Sequence, residues 1–204
     1  GQAPRALRAG SGRQTVSAPF GPLTPDFVLS AVESTGLVCD GRLLTLNSYE
    51  NRVYQVGIDE APPLIAKFYR PGRWSDEAIL EEHGFLAELA EAEIPAVPAL
   101  DIGGTTLHHH EGFRIALFPR RGGRAPELDD PEVLAWLGRF LGRIHAIGAL
   151  RPFAYRPELN IRSFGEEPRD ALLASPFLPP ELRATWLSVV DQALDGVRRC
   201  FDRA

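Results

Sequence analysis

The chain has 204 residues, of which 44% are hydrophobic and 24% are charged, enough to bury the core of one domain or of two small lobes. Its net charge of -5 argues against nucleic acid or an anionic membrane as the main partner, because both attract basic surfaces. Cys39 and Cys200 have no metal-ligand or redox spacing, and no secretory or membrane-spanning apolar segment is evident, so we expect reduced thiols and a cytoplasmic location.

Residues 1–22 mix Gly, Ser, Pro, Ala and Arg without an apolar period, which predicts a flexible tail that carries no site. Thr24 or Asp26 then offers an N-cap for a first helix, which ends at Gly36. Three strands are predicted to follow, with a hairpin through residues 57–63 between the last two: Leu43–Leu46, Arg52–Val56 and Leu64–Tyr69.

Lys67 lies in the third of these strands and is the only lysine among 22 lysine and arginine residues. A compact ammonium suits contact with phosphate oxygens, whereas arginine presents a planar fork. The strand therefore carries a candidate phosphate-contacting residue. An edge-strand lysine whose head group simply reaches solvent is the alternative.

A helix is predicted to begin after Ser75, which can act as its N-cap. Four residues at helical spacing form the stripe that faces the protein interior: Ile79, Glu82, Leu86 and Leu89. A carboxylate on such a stripe needs a partner, because an unpaired buried charge is costly. Lys67 is the nearest cation that a strand could present, so we expect a Lys67–Glu82 ion pair. A hydrated Glu82 at the edge of the stripe is the alternative.

The segments around this lysine and glutamate have a distinctive sequence. They are Leu46–Gln55, Lys67–Pro71, Arg73-Trp74 and Ile79–His83. They resemble the stress response kinase A family of bacteria, Ser/Thr protein kinases with the aminoglycoside phosphotransferase and choline kinase type of fold, and the resemblance runs from about Pro25 to the C-terminus. In kinases a strand lysine paired with a helix glutamate holds the α- and β-phosphates of ATP. The resemblance implies this role for Lys67 and Glu82.

The turn at residues 47–52 lies between the first two strands, where a kinase places its glycine-rich phosphate loop, yet it contains no glycine. Ser48 and Asn51 offer a hydroxyl and an amide that can supplement backbone N–H groups at a phosphate. The resembling family has the same polar loop, which implies that Ser48 contacts ATP. A hairpin that uses Asn and Ser for turn chemistry alone is the alternative.

After the helix, Ile94–Asp101 is expected to be extended, Gly103-Gly104 to turn, and Phe113–Phe118 to form a strand. In the resembling fold this strand leads into the hinge, whose backbone hydrogen-bonds adenine, so Phe118 to Arg120 would border the base. An ordinary apolar strand followed by a linker is the alternative.

Two sets of residues invite a metal or anion interpretation. His108–His110 could present two imidazoles on one strand face, as metal ligands do. No Cys, Asp or Glu set completes such a site, so we interpret these histidines as a solvated hairpin tip. Arg120, Arg121 and Arg124 could attract an anion, but we interpret them as scattered surface residues.

The C-terminal half is predicted to be helical at both ends and irregular between. Asp130-Pro131 begins a helix in which His145 is interpreted as a packing residue and not as a catalytic one. Residues 151–180 are rich in proline and are predicted to be irregular. The apolar stripes of the two helices are Leu134, Leu137, Leu141 and Ile144 in the first, and Leu182, Trp186, Val189, Ala193 and Val197 in the second.

Kinase chemistry needs a catalytic Asp, an Asn five residues later and a second metal-binding Asp. The asparagines are Asn47, Asn51 and Asn160, and none stands five residues after an Asp. In the resembling family the catalytic loop follows a helix like the one ending near Ala204. We therefore expect no catalytic residue in this sequence, with the general base and the Mg²⁺ ligands beyond residue 204.

We predict an α+β, protein kinase-like fold of the aminoglycoside phosphotransferase type. A mainly antiparallel N-lobe at 23–119 precedes the hinge and the first helices of a helical C-lobe at 120–204. The resemblance implies ATP and Mg²⁺ as cofactors, and five residues of the chain are expected to form the ATP cradle: Ser48, Asn51, Lys67, Glu82 and Phe118.

The resemblance further implies phosphoryl transfer to Ser/Thr of a protein substrate in a bacterial stress response. Two alternatives remain: a small-molecule kinase acting on an aminoglycoside, choline or homoserine-type substrate, and a non-catalytic nucleotide-binding module. We expect no nucleic-acid or membrane partner and a monomer for the full-length protein.

Overall fold

The computed structural model describes residues 19–201, which form two compact units that divide between Ala154 and Tyr155. Of the tail predicted at residues 1–22, only 19–22 lie within the described part, where they belong to a turn. No helix in residues 19–201 combines the length and the apolar character needed to cross a membrane.

The first unit is built on a five-stranded antiparallel sheet in the order β1-β2-β3-β5-β4. The strands are β1 Cys39–Leu46, β2 Arg52–Ile58, β3 Ala61–Phe68, β4 His108–His110 and β5 Phe113–Pro119. The helices of this unit are α1 Pro25–Glu33, α2 Asp76–Glu91 and α3 Pro131–Gly148. The predicted antiparallel sheet is therefore present, with the helix α2 between β3 and β4.

One face of the sheet packs against α1 and forms the main core. Alternate strand residues and one side of the helix are buried there: Tyr54, Val56, Ala66, Phe68, Ile115 and Leu117 with Val28, Ala31 and Val32. Thr24, one of the two candidate caps, begins α1 by accepting a hydrogen bond from the N–H of Phe27 at 3.3 Å.

The opposite face of the sheet packs against α2 over part of its area. Tyr69, Ile79, Leu107 and Ala116 are buried in this second cluster, and Trp74 and Phe118 pack against it. Ser75 caps α2 as predicted, because its hydroxyl accepts the N–H of Ala78 at 3.2 Å. At the same end Asp76 accepts hydrogen bonds from Arg114 and from His109, which lowers the pKa of its carboxyl and fixes α2 to β4 and β5.

The hairpin between β2 and β3 is shorter than the predicted span of 57–63. The strand β3 begins at Ala61 and includes Pro62 and Pro63, so that Asp59 and Glu60 form the tip, with Glu60 at a φ of 53°. Proline is tolerated at residues 62 and 63 because β3 has no partner on the β5 side before Leu64. From Leu64 onward β3 is paired on both sides, and a missing amide hydrogen would cost a hydrogen bond of the sheet.

The histidine run is a strand and not the solvated hairpin tip that we predicted. His108–His110 pair with β5, and the turn is made by Glu111 and Gly112, whose φ angles are 43° and 85°. Glycine adopts positive φ readily, so it places the turn after the histidines. His108 is half-buried, and this burial lowers the pKa of its imidazole.

Within the described chain, α3 buries no residue. Leu137 and Ile144 of the predicted stripe are half-buried, whereas Leu134 and Leu141 are exposed. His145 is also exposed, so its interpretation as a packing residue is wrong.

The second unit contains α4 Glu167–Ala174 and α5 Arg183–Phe201. The prediction of an irregular tract is wrong for residues 162–174, where a π-helical turn, Arg162–Glu166, runs directly into α4. Pro168 lies at this junction and has no amide hydrogen to donate to a carbonyl of the π-helical turn before it.

The stripe predicted for α5 is displaced. Val189 and Val197 are exposed, and Leu194 is the buried residue of this helix. The π-helical turn decides this, because a Cβ added at Gly165 would lie 2.4 Å from Leu194 Cδ2. An ion pair of 2.9 Å between Arg169 and Asp191 holds α4 to the same side of α5.

Candidate functional site

Lys67 and Glu82 form the centre of the candidate site. Strand alternation directs Lys67 toward α2, and its Nζ donates to Glu82 Oε1 at 2.8 Å. The two side chains are 21% and 27% exposed, so the predicted ion pair is present at the border between the core and solvent. The ammonium also lies 4.5 Å from the centre of the Tyr69 ring, a cation–π distance.

The buried face of α2 differs from the predicted stripe. Ile79 and Leu89 are buried as expected, but the polar residue between them is His83, 4% exposed, and Glu82 lies at the edge of this face. His83 follows Ile79 by four residues, which is a helical spacing, so its burial could have been read from the sequence. A histidine so deep in the protein requires partners for both ring nitrogens.

His83 has these partners on two different segments. Its Nε2 lies 2.7 Å from the hydroxyl of Tyr69, and its Nδ1 lies 2.8 Å from Oγ1 of Thr106. Burial lowers the pKa of His83 to about 4, and the neighbouring Lys67 acts in the same direction against the opposing effect of Glu82. The imidazole is therefore neutral at neutral pH.

The loop between β1 and β2 is held in place by its own polar residues. The Ser48 hydroxyl donates to the carbonyl of Asn51 at 2.7 Å, and the Asn51 side-chain oxygen accepts from the N–H of Arg70 at 3.3 Å. Glu50 accepts from Arg73 at 3.0 Å and from the indole of Trp74 at 2.9 Å. The loop is thereby tied to the segment between β3 and α2. The hydrogen bond of Ser48 stabilises the turn itself, as the alternative interpretation of this loop expected. The contact of Ser48 with ATP stays a prediction.

A half-buried apolar area extends along the sheet from the ion pair, and sequence reasoning missed it. The strand registers place two rows on this face: Leu46, Val53, Lys67 and Ala116 in one, and Leu44, Gln55, Ile65 and Phe118 in the other. Leu46, Val53 and Ile65 are half-buried, whereas the α1 face of the same strands is largely buried. We call Leu46, Val53 and Ile65 the apolar platform. Apolar side chains that line a site in this way can pack against the face of a planar ring.

Phe118 lies at the far end of the platform. It pairs with Ile65, and its ring packs edge-on against His83 with 6.0 Å between ring centres. The chain leaves the sheet after Pro119, where Arg120 donates from Nε to the side-chain oxygen of Gln55 at 2.8 Å. Phe118 thus connects the platform to the interior of α2, and the predicted hinge begins beside it.

Metal ligands are not gathered at this site. Within residues 19–201, no three His, Cys, Asp or Glu side chains are arranged so that they could hold a metal ion. The roles proposed for Ser48, Asn51, Lys67, Glu82 and Phe118 therefore involve no metal.

Comparison with known proteins gives the family. The model of the phosphotransferase enzyme family matches residues 43–201, which include the loop, the platform, Lys67, Glu82 and the predicted hinge. The chain belongs to the phosphotransferase enzyme family. Family members share a fold more than a substrate, so the acceptor has to be argued separately.

Relatives of this phosphotransferase chain include bacterial kinases. The serine/threonine protein kinase RdoA of Salmonella typhimurium is 38% identical over 182 residues, which cover 89% of this chain and 56% of the relative. Stress response kinase A of Escherichia coli K12 is 38% identical over 178 residues, which cover 87% and 54%. The resemblance to the stress response kinase A family is confirmed. The chain spans about half the length of these curated relatives.

A solved structure supports the fold of this phosphotransferase chain. Amicoumacin kinase hAmiN, in complex with AMP-PNP, Ca²⁺ and Ami, superposes with a TM-score of 0.65 at 17% identity, covering 86% of this chain and 53% of that one. With the family match, this confirms the predicted aminoglycoside phosphotransferase-like kinase fold.

Proposed function

We propose that the protein transfers the γ-phosphoryl group of ATP to a Ser or Thr hydroxyl of a protein substrate, and that this chain supplies the ATP cradle. The observation that carries the proposal is the Lys67–Glu82 ion pair of 2.8 Å at one end of the apolar platform in a phosphotransferase chain. Kinases hold the α- and β-phosphates of ATP with such a pair.

Each part of the cradle has a role in the proposal. Lys67 contacts the phosphates as a point charge, and Glu82 keeps its ammonium in place. The platform receives the adenine ring, and the backbone after Phe118 borders its edge. Ser48 and Asn51 shape the loop that covers the phosphates.

The physical basis of the proposal is positioning and charge. Phosphoryl transfer asks little covalent chemistry of the protein, so the cradle contributes by orienting the donor and by placing positive charge beside it. Lys67 is about one-fifth exposed, so water screens its charge less than that of a surface lysine.

Further parts of the proposal rest on the relatives. The name serine/threonine protein kinase RdoA supports a protein acceptor, and the name stress response kinase A supports a role in a bacterial stress response. We also propose a cytoplasmic location. The neighbour with AMP-PNP and Ca²⁺ supports ATP with a divalent cation, and we propose Mg²⁺, held by residues outside the described part of the chain. We also propose the division into an N-lobe at 23–119 and the start of a C-lobe at 120–204, in a monomer.

A small-molecule kinase is the second candidate function. The observation that favours it is the likeness of fold to amicoumacin kinase, which was solved with Ami bound. The two candidates share the cradle and differ in the acceptor, so they separate only when acceptors are compared.

Isothermal titration of the chain with AMP-PNP tests the cradle. We expect weak binding by the wild type and a loss of about tenfold or more in Lys67→Ala, because a charged hydrogen bond contributes about 1.5–3 kcal/mol. Arg139→Ala, which removes an exposed cation from α3, is the control and should bind as the wild type does. Equal affinity in wild type and Lys67→Ala would contradict the proposal.

The acceptor is tested on the protein extended to the length of its relatives. Labelled ATP should transfer phosphate to a Ser/Thr protein acceptor and not to aminoglycosides or amino alcohols. Transfer to the small molecules alone would replace the first candidate by the second.

A further inference from the structure

Three polar side chains form a buried network behind the Lys67–Glu82 pair. Tyr69, 2% exposed, meets one nitrogen of His83 at 2.7 Å, and Thr106 meets the other at 2.8 Å. We call these residues the histidine network. It joins three separate segments of the fold: the end of β3, the middle of α2 and the segment before β4.

Two groups contact the Lys67 ammonium, and both are connected to the histidine network. One support is the Glu82 carboxylate, which precedes His83 on α2. The other is the Tyr69 ring, 4.5 Å from Nζ, whose hydroxyl is bonded to His83. His83 is therefore linked to both supports, to Tyr69 by a hydrogen bond and to Glu82 by the backbone of α2.

A polar residue at position 83 restrains the rotation of α2 about its axis, which an apolar residue would not do. Successive helix residues point about 100° apart, so a small rotation of α2 would carry Glu82 away from Lys67. Apolar packing tolerates such a rotation, but hydrogen bonds to Tyr69 and Thr106 from opposite ring nitrogens do not. Because His83 is neutral at pH 7, it provides this restraint without a second positive charge beside the ammonium.

We propose that His83 is a positioning residue for Lys67, which acts through Tyr69 and Glu82 to hold the ammonium where nucleotide phosphates bind. The part concerning phosphates rests on the proposed function. The part concerning Lys67 itself does not, and it can be measured without a nucleotide.

Lysine-specific NMR measures the position of the ammonium directly. Lys67 is the only lysine of the chain, so incorporation of ¹³C,¹⁵N-lysine labels one side chain. We expect its ε-methylene signals to be displaced by the ring current of Tyr69 in the wild type. Tyr69→Phe keeps the ring and removes the bond to His83, and His83→Leu removes both bonds of the network. Both variants should move the signals toward the values of a free lysine.

The control is His145→Leu, the same substitution at an exposed position of α3, and it should leave the lysine signals unchanged. If His83→Leu does not fold, Tyr69→Phe carries the test alone, because it deletes one oxygen atom. Lysine signals that are the same in wild type, Tyr69→Phe and any folded His83→Leu would overturn the proposal, whether or not the chain binds nucleotide.

Nucleotide affinity then distinguishes positioning from general stability. Tyr69→Phe, which removes one bond, should bind ATP about threefold to tenfold more weakly, and His83→Leu, which removes two, should lose at least as much. Both variants should bind adenosine as the wild type does. The double variant should lose no more than His83→Leu alone, since both changes break one network. Equal losses for ATP and adenosine would show a structural role only. A wild type that fails to bind ATP would refute the proposed function and leave the lysine signals to decide the role of His83.

Discussion

Acidification should destabilise the first unit through His83. The pKa of this imidazole is lowered from 6.5 to about 4 in the fold, chiefly by burial, with Lys67 and Glu82 as the charged neighbours. As the pH falls below 6.5, the unfolded chain binds a proton at this residue before the folded chain does. The free energy of unfolding therefore decreases between pH 6.5 and 4, and the stabilisation is complete above this window.

The size of the effect follows from the difference in pKa. One pKa unit corresponds to about 1.4 kcal/mol, so the loss should be about 2 kcal/mol at pH 5 relative to pH 8 and about 3 kcal/mol below pH 4. That is a large part of the stability of a typical domain, which is about 5–15 kcal/mol.

Urea unfolding at several pH values measures this loss. Trp74 packs against the α2 cluster, so a background with Trp136→Phe and Trp186→Phe makes its fluorescence a probe of the first unit. The protein with His83 should lose about 2 kcal/mol more between pH 8 and pH 5 than the same background with His83→Leu. The contribution of His108, whose pKa is also lowered by burial, is common to both and cancels.

The urea unfolding of the proteins with His83 and with His83→Leu can also contradict the prediction. If the two proteins lose the same free energy between pH 8 and pH 5, His83 is not buried and neutral as the structure has it, and the reasoning fails. His145→Leu should retain the full acid sensitivity, because its imidazole is exposed.

The other expectations concern the cradle and the second unit. In the extended protein, Lys67→Arg should lower kcat/KM for ATP at least tenfold, because a planar fork replaces a point charge in a confined place; a change of only a few-fold in steady-state kinetics would argue against the clamp. Ser48→Ala should weaken ATP binding by about 0.5–1.5 kcal/mol in calorimetry, and an unchanged affinity would leave Ser48 with turn chemistry alone. Residues 1–204 with labelled ATP and Mg²⁺ should transfer no more phosphate to a generic protein acceptor than the Lys67→Ala variant does. Gly165→Ala should destabilise the second unit by about 1–3 kcal/mol in thermal unfolding, since its methyl group would overlap Leu194. An unchanged melting temperature would show that Leu194 or α5 shifts to make room for the methyl group.

The Lys67–Glu82 ion pair could be predicted from the sequence because it depends on the periodicity of one strand and of one helix. Strand alternation set the direction of Lys67, and helical spacing set that of Glu82. The burial of His83 depends instead on Tyr69 and Thr106, which lie 14 and 23 residues away in the chain. The helical spacing from Ile79 hinted at this position, but only those partners make an imidazole stable in the core.

The prediction of the buried face of α5 was wrong for a different reason. This helix carries two apolar rows, one with Trp186, Val189 and Val197 and one with Leu187 and Leu194, and hydrophobicity alone does not choose between them. The choice is made by the absence of a side chain at Gly165, where the π-helical turn approaches Leu194. Close approach of two backbones is a tertiary property that no single-helix pattern contains.

The two prolines at the start of β3 have a consequence for how molecules of this protein meet one another. Where β3 extends beyond β5, an ordinary strand would offer free amide hydrogens to any extended chain that came alongside. Pro62 and Pro63 have none to offer, so a strand from a second molecule finds no complete ladder there. The hairpin can thus reach past the rest of the sheet without becoming a starting point for aggregation.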